Sequence, residues 1–375
     1  MSNWQTKKLG ELAGYINGYP FKPTDWVSSG LPIIRIQNLN DENKEYHYFS
    51  GDIGEKYRVS KGDILISWSA SLGTYIWGKD NAWLNQHIFK VIVNENEINK
   101  DFFYFLSMTV LEEMKRKTHG GTMKHITKNL FENIQVKVPQ LSTQQQIVER
   151  LNAIRKLQEL KEVEATKTNE LFEGLIRNIF TSKNGKRYQI SEIAESFQYG
   201  LSRRMNSNGD GMPILRINSI EDGNIVDTDL KYVEVNEEEL NKYKVQPDDI
   251  LFNRTNSYEL VGKTGIFKLS GIFVFASYLI RLRAKDGILP DYLNYFLNSP
   301  MGQAEIRRKA KRAVSQANVN AKELGSISMY VPEKSIQEKA ISQLNIVKQH
   351  LQTLKREGEK LTEMFESLLH KELHA

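Results

Sequence analysis

The chain contains no cysteine, which excludes disulfides, thiolate nucleophiles and cysteine-ligated metal sites. Histidine is also scarce. The seven present show no ligand spacing, His119 and His125 being six apart, so neither a metal nor another cofactor is expected on this chain. No Gly-x-Ser-x-Gly nucleophile turn occurs, nor a Gly-x-Gly-x-x-Gly behind a strand, nor an Asp/Asn-Pro-Pro-aromatic tetrapeptide of the kind that positions a base for methyl transfer. Gly262-Lys263-Thr264 ends like a phosphate-binding loop, but Ser257 stands where that motif needs its first glycine. The longest apolar run, Ile272–Ile280, is too short to span a bilayer and is expected to form one buried strand. The first residues lack the apolar core of a signal peptide, so a cytoplasmic protein without membrane contact is expected. Proline is sparse too: none falls in 142–182 or 335–375, so each stretch can run as a single helix.

What is present is a repeat. At a shift of 193 positions, Val138-Pro139 matches Val331-Pro332, Ser142 matches Ser335, Gln144 matches Gln337, and Leu151-Asn152 matches Leu344-Asn345. Continuing to Leu175 and Leu368 gives twelve ungapped identities, where about two or three would arise by chance. Upstream the register loosens. Pro32–Ile36 resembles Pro213–Ile217, Leu9–Ala13 resembles Ile190–Ala194, and Asp63-Ile64-Leu65 resembles Asp249-Ile250-Leu251. The intervening residues are mixed, with β-branched and aromatic runs broken by glycine turns, which predicts α+β domains.

The two proline-free stretches carry heptad seams. In the second, positions 340, 344, 347, 351, 354, 361, 365 and 368 are apolar; in the first, Ile147, Leu151, Ile154, Ala165, Phe172, Leu175 and Ile179 occupy the same frame, with Gln158 and Lys161 in its middle. Neither helix, about 60 Å long at 1.5 Å per residue, can bury such a stripe alone. Antiparallel pairing of the two is the economical solution, with Ser142 and Ser335 expected as N-caps. The expected organisation is a mixed α/β domain over 1–141, a long helix over 142–182, a second mixed domain over 183–334 and a second long helix over 335–375, related by a pseudo-twofold repeat.

This order of elements, with Asp63-Ile64-Leu65 and Asp249-Ile250-Leu251 inside the domains and Gly121-Thr122-Met123-Lys124-His125-Ile126 ahead of Phe131–Pro139, resembles the specificity subunits of type I restriction–modification enzymes. The resemblance covers nearly the whole chain. It implies two target recognition domains reading the halves of a split, asymmetric site in double-stranded DNA, with the helices as a spacer. It also implies two methyltransferase subunits as partners and, in the nuclease form, two restriction subunits that translocate DNA. S-adenosylmethionine and ATP chemistry would belong to those partners, leaving this chain non-catalytic.

The residues themselves suggest where DNA would be held. The formal charge of +5 favours a polyanionic partner. Basic segments recur ahead of a polar loop in each half: Lys115, Arg116 and Lys117 in the first, Arg307, Arg308, Lys309, Lys311 and Arg312 in the second. Lys22 and Arg203 correspond in the same way. These are candidates for phosphate contacts. Base edges need amides, guanidinium groups, hydroxyls or aromatics. Candidates are Thr122, Lys124 and His125 in the first half; Ser315, Gln316 and Asn318 in the second; and, after the Asp-Ile-Leu strands, Ser67, Trp68 and Ser69 against Asn253, Arg254 and Asn256. Arg35 and Arg216, inside apolar strands, are expected to be structural. Two other readings compete: a coiled-coil scaffold with two protein-binding heads, which predicts weak, sequence-indifferent DNA binding, and an enzyme with a divergent site, which predicts activity from the isolated chain.

Overall fold

Alternation decides the strand that closes each globular part. Gln135–Val138 runs exposed, buried, exposed, buried, and pairs antiparallel with Gln5–Lys8, Gln5 lying opposite Val138. In the second half Ser328–Val331 buries the same alternate positions and pairs with Lys186–Gln189, Lys186 opposite Val331. These pairings are seen in a computed structural model that describes residues 4–41, 43–69, 71–118, 127–258, 260–312 and 316–373. The chain divides into two compact units, one comprising residues 1–162 with 356–375 and the other residues 163–355.

The first unit has two four-stranded sheets. One runs in the order Ala13–Asn17, Ile88–Val93, Ile64–Ser67, Gly73–Ile76, antiparallel throughout. The other orders His47–Phe49, Leu31–Ile34, Ala82–Leu84 and Arg58–Val59, with Leu31–Ile34 and Ala82–Leu84 parallel. The helix Lys100–Thr118 supplies Phe102, Phe103 and Phe105, all fully buried, to a core shared with Leu9, Leu12, Ile64 and Phe89. In the second unit, Ala194–Tyr199, Leu279–Ala284, Ile250–Asn253 and Thr264–Ile266 are the first four strands of a six-stranded sheet. Lys231–Val233, Met212–Leu215 and Val274–Phe275 form another, again with one parallel pairing.

The apolar run Ile272–Ile280 is therefore not one strand. It divides into Val274–Phe275, in the smaller sheet, and the start of Leu279–Ala284, in the larger. The break is fixed by hydrogen bonds: Ser277 N donates to Leu201 O at 3.0 Å and Leu279 N to Ala276 O at 2.9 Å. The first unit makes the same break between Ala82–Leu84 and Ile88–Val93, with Gln86 N donating to Tyr19 O at 3.0 Å and Ile88 N to Asn85 O at 3.1 Å. Periodicity cannot see such a step, because both strands are buried and apolar.

The two long helices span Leu141–Thr181 and Lys334–Leu373. Each begins ahead of its serine, so Ser142 and Ser335 lie inside the first turn and are not the caps expected of them. The backbone oxygens of Gln140 and Glu333 take the first helical bonds, from Thr143 N and Ile336 N. What fixes the helix starts is the fully buried glutamine two residues after each serine. Gln144 accepts from Asn99 N at 2.7 Å and donates to Pro139 O at 2.8 Å. Gln337 accepts from Leu289 N at 2.9 Å and donates to Pro332 O and Gly287 O.

Within each unit the start of one long helix meets the end of the other. Ile147 and Leu151 share the first core with Phe365, Leu368 and Leu373; Ala340 and Leu344 share the second with Phe172, Ile176 and Phe180. Arg150 pairs with Glu372 at 2.9 Å and Lys161 with Glu357 at 2.8 Å in the first unit, and His350 reaches Glu164 at 3.2 Å in the second. Within each unit, rising numbers on one helix segment meet falling numbers on the other, so the two segments there run antiparallel. Exposed pairs of this kind contribute about 1 kcal/mol at most, and the buried apolar stripe carries the stability.

Candidate nucleic-acid interface

Each unit carries its candidate base-reading groups where a buried strand runs out. In the second unit Ile250–Asn253 is fully enclosed, including the Asn253 side chain. That amide donates to Leu260 O at 3.3 Å, and its oxygen accepts from Thr255 N at 3.3 Å. Asn253 thus holds the turn and offers nothing to a base edge, a correction to the expectation above. The next residue does the opposite. Arg254 is half-buried, lays its guanidinium over the Tyr199 ring at 4.8 Å, and donates from Nη2 to Asn318 Oδ1 at 3.4 Å. Asn318 is positioned in turn by donating to Thr255 Oγ1 at 2.7 Å.

A three-stranded sheet makes this meeting possible. Thr255–Asn256 pairs with Ala317–Asn318, which pairs with Lys311–Arg312, bringing positions more than fifty residues apart in sequence into register. Gln316 is exposed at its edge. Lys311 extends into solvent while pairing with Glu323 at 3.2 Å. The helix Pro300–Lys309, capped by the Ser299 hydroxyl, ends in Arg307, Arg308 and Lys309. Arg308 pairs with Glu305 one turn earlier, whereas Arg307 and Lys309 have no carboxylate partner among the described residues. Cations in a last turn also complement the helix dipole. Ser315 lies outside the described residues, as do the side-chain contacts of Arg312.

In the first unit the corresponding strand Ile64–Ser67 also ends on a buried polar side chain, Ser67, and Ser69 is buried as well. Trp68 follows. Its ring stacks on Phe89 at 5.7 Å and lies 5.4 Å from His87, and its Nε1 donates to Asn17 Oδ1 at 3.3 Å. Lys22 is exposed in the loop before the short turn Pro23–Asp25. Lys115 pairs with Glu112 at 2.6 Å on the helix Lys100–Thr118, and Arg116 is exposed there. Thr122, Lys124 and His125 lie outside the described residues, and of Lys117 only the backbone is described.

Other basic groups are committed to the fold. Arg203 donates to Glu234 O at 2.8 Å and pairs with Glu239 at 2.7 Å, so its charge is already matched. Arg35 bonds Glu45 O at 2.9 Å, and Arg216 bonds both Asp229 O and its carboxylate, each tying a strand end to a loop. Asp249 is almost fully enclosed. It caps the turn by accepting from Gln246 N at 2.8 Å and receives Arg283 at 2.6 Å and Arg281 at 3.6 Å. Hydrogen bonding to that carboxylate pushes the Arg283 guanidinium up, while burial pulls Arg281 down. Asp63 makes the matching cap with Ser60 N at 2.8 Å. Sequence reasoning missed Asn17, His87, Tyr199 and Tyr278. They sit on neighbouring strand ends, and no motif marks them.

Among the described residues no group of three or more histidine, aspartate or glutamate side chains could hold a metal ion, and no helix is long and apolar enough to cross a membrane.

Comparison with known proteins bears on the chain as a whole. A family model described as the type I restriction modification DNA specificity domain matches twice, over residues 1–171 and 175–363. The chain is 24% identical to the type I restriction enzyme EcoBI specificity subunit of Escherichia coli, over 90% of its own length and 77% of that protein. It is likewise 24% identical to the EcoKI specificity subunit of Escherichia coli strain K12, over 94% and 84%. Its fold is similar to the crystal structure of the type I restriction–modification S subunit from M. genitalium, with a TM-score of 0.63 at 16% identity, covering 99% of this chain and 96% of that one.

Proposed function

The chain belongs to the type I restriction–modification DNA specificity family, and from that premise we propose that its two mixed domains read the two halves of one split, asymmetric DNA target. It is a DNA-recognition subunit, and the chemistry of modification and cleavage belongs to other subunits. The observation that carries the bipartite reading is the double match of the family model, one per half, each covering a mixed domain and most of the long helix that follows. The two units share the pairings of four strands in the larger sheet and three in the smaller while differing in the side chains at the strand ends, as expected of one scaffold put to two specificities.

In this reading residues 1–141 and 183–334 are the target recognition domains. Helices 142–182 and 335–375 pair as an antiparallel coiled coil, with a pseudo-twofold relation between the halves. The paired helices act as the spacer and as the dock for two methyltransferase subunits, joined in the nuclease form by two restriction subunits. Support for docking comes from Leu157 and Leu160, which remain exposed on the part of the first long helix that lies in the first unit. Their spacing of three places them on one helical face. Lys115, Arg116, Arg307, Lys309 and Lys311 hold phosphates, and the strand ends read bases. The cytoplasm, where the DNA lies, is the compartment this requires.

The test is methylome sequencing of cells expressing this chain with its methyltransferase partner. Deleting the chain should abolish methylation at one split motif. Replacing residues 183–334 by those of another family member should change one half of that motif and leave the other. Methylation unaffected by the deletion would overturn the reading.

A further inference from the structure

Several arginines of the second unit that serve its fold are matched by acids. Arg281 and Arg283 share Asp249, Arg203 pairs with Glu239, and Arg216 with Asp229. Arg254 is different. It is half-buried and no carboxylate pairs with it among the described residues, although its Nε, like those of Arg216 and Arg281, is enclosed without a hydrogen-bond partner. Its guanidinium is held from one face by the Tyr199 ring and at one corner by the neutral Asn318 oxygen. Tyr199 is itself fixed, its hydroxyl accepting from Ala321 N at 3.0 Å. The result is a cation whose plane is set while most of its donors are unspent.

A guanidinium in that state calls for an acceptor with two oxygens or nitrogens side by side. Two such partners exist on duplex DNA: a phosphate, and the O6/N7 edge of guanine in the major groove. The setting favours the base. Aromatic stacking and a lateral amide restrict the fork to one orientation, which helps planar bidentate readout and adds little to a phosphate contact. More extended cations lie nearby for the backbone: Lys311 sits directly opposite Asn318 in the sheet, and its side chain is 79% exposed. The position also fits. Arg254 N bonds Tyr278 O at 3.0 Å just as Trp68 N bonds His87 O at 3.4 Å, so the residue emerges at the same strand end in both units with opposite chemistry.

We infer that Arg254, oriented by Tyr199 and Asn318, reads a guanine in the half-site recognised by the second domain. The inference rests on the bipartite reading above and names one of its specificity-determining residues. Tyr199 and Asn318 are positioning residues in it.

The experiment uses the full chain expressed with its methyltransferase partner, as wild type, Arg254→Lys, Arg254→Ala and Tyr199→Leu, with methylome sequencing as readout and thermal melting of each purified chain as the check on folding. Both Arg254 variants should relax one guanine position in a single half of the motif, lowering discrimination there roughly ten- to a hundred-fold and leaving the other half untouched. Tyr199→Leu should relax the same position more mildly. Retention of that guanine preference in folded Arg254→Ala would overturn the inference. So would a uniform loss across all sites with a salt dependence reduced by about one charge, which marks a phosphate contact. Lysine keeps the charge, so a folded Arg254→Lys chain decides the matter if the alanine chain does not fold. A half-site of the second domain with no guanine would sink the inference alone. Methylation indifferent to the whole chain would sink the bipartite reading beneath it.

Discussion

The two units solve the same backbone problem and then part company at three side chains. In both, a glycine follows the first sheet strand and lies against a carbonyl: an added Cβ would fall 2.0 Å from Asn85 O at Gly18 and 2.3 Å from Ala276 O at Gly200. In both, the next residue bridges in parallel to the neighbouring loop, Tyr19 to Asn85 and Leu201 to Ala276. The strand ends framing this crossing carry Asn17, Trp68 and His87 in the first unit, and Tyr199, Arg254 and Tyr278 in the second. The backbone bonds of the crossing itself are shared, although Arg254 O also accepts from Val319 N at 2.9 Å, and none of the three side chains is shared. A scaffold under pressure only to fold would have no reason to vary at those points and keep the crossing. The difference teaches that backbone register is the fixed part of this architecture and the strand-end triad the variable part.

The sharpest way to break that comparison is to remove the buried glutamine from each unit in turn. Gln144→Leu strands the Asn99 N–H and the Pro139 carbonyl; Gln337→Leu strands Leu289 N–H with two carbonyls, those of Pro332 and Gly287. Leaving a buried donor unmet costs roughly 1–3 kcal/mol, so each variant should lose about 3 kcal/mol, the second slightly more. The two losses can be measured separately. All five tryptophans, Trp4, Trp26, Trp68, Trp77 and Trp83, belong to the first unit. Urea denaturation followed by tryptophan fluorescence therefore reports Gln144→Leu, while circular dichroism reports both. A neutral Gln144→Leu beside a costly Gln337→Leu would show that the units do not share this anchor.

A smaller effect sharpens the same point. Gly18→Ala and Gly200→Ala each push a methyl group against a backbone oxygen that cannot swing away, and each should cost about 2 kcal/mol. Neither glycine has a positive φ, so the penalty comes from crowding alone. If alanine is tolerated at one position, the crossing is looser in that unit than its hydrogen bonds imply.

Much of this organisation was legible in the sequence, and the failures have physical reasons. The long helices were visible because a heptad stripe without proline leaves few other conformations. Gln144 and Gln337 stood out as identities in the repeat, although their task, tying helix to domain, needed the structure. The Asp-Ile-Leu strands were legible, but not that Ser67 and Asn253, the first polar residues after them, are swallowed by the fold. Polarity announces a loop, and a buried turn also needs polar atoms to satisfy its backbone. The serines after Val-Pro resembled caps because a cap is a local signal, and here a long-range glutamine bond set the helix start instead. The approach of Tyr199 to Arg254 was invisible, since it depends on which strands pair and not on any spacing along the chain.

The smallest expected effect concerns pH, and it too separates the units. His47 pairs across the sheet with Ile33 in the first unit, whereas Lys231 lies opposite Ile214 at the matching place in the second. Burial holds the His47 imidazole below its ordinary 6.5, the Arg35 charge adds to the depression, and Glu45 opposes it. The Trp26 ring lies 3.6 Å away, centre to centre, and Nδ1 is enclosed without a hydrogen-bond partner. The folded state therefore binds this proton less readily than the unfolded chain. Stability from this site is complete above about 6.5 and is lost as pH falls from there toward the depressed folded value, below which the loss levels off. Urea midpoints read by tryptophan fluorescence should accordingly drift downward between pH 7 and pH 5, and His47→Gln should remove part of the drift. The second unit has no imidazole at this place. An unchanged fluorescence slope in His47→Gln would mean that the proton is taken up elsewhere in the first unit, and that its sheet edge is no more pH-sensitive than that of the second.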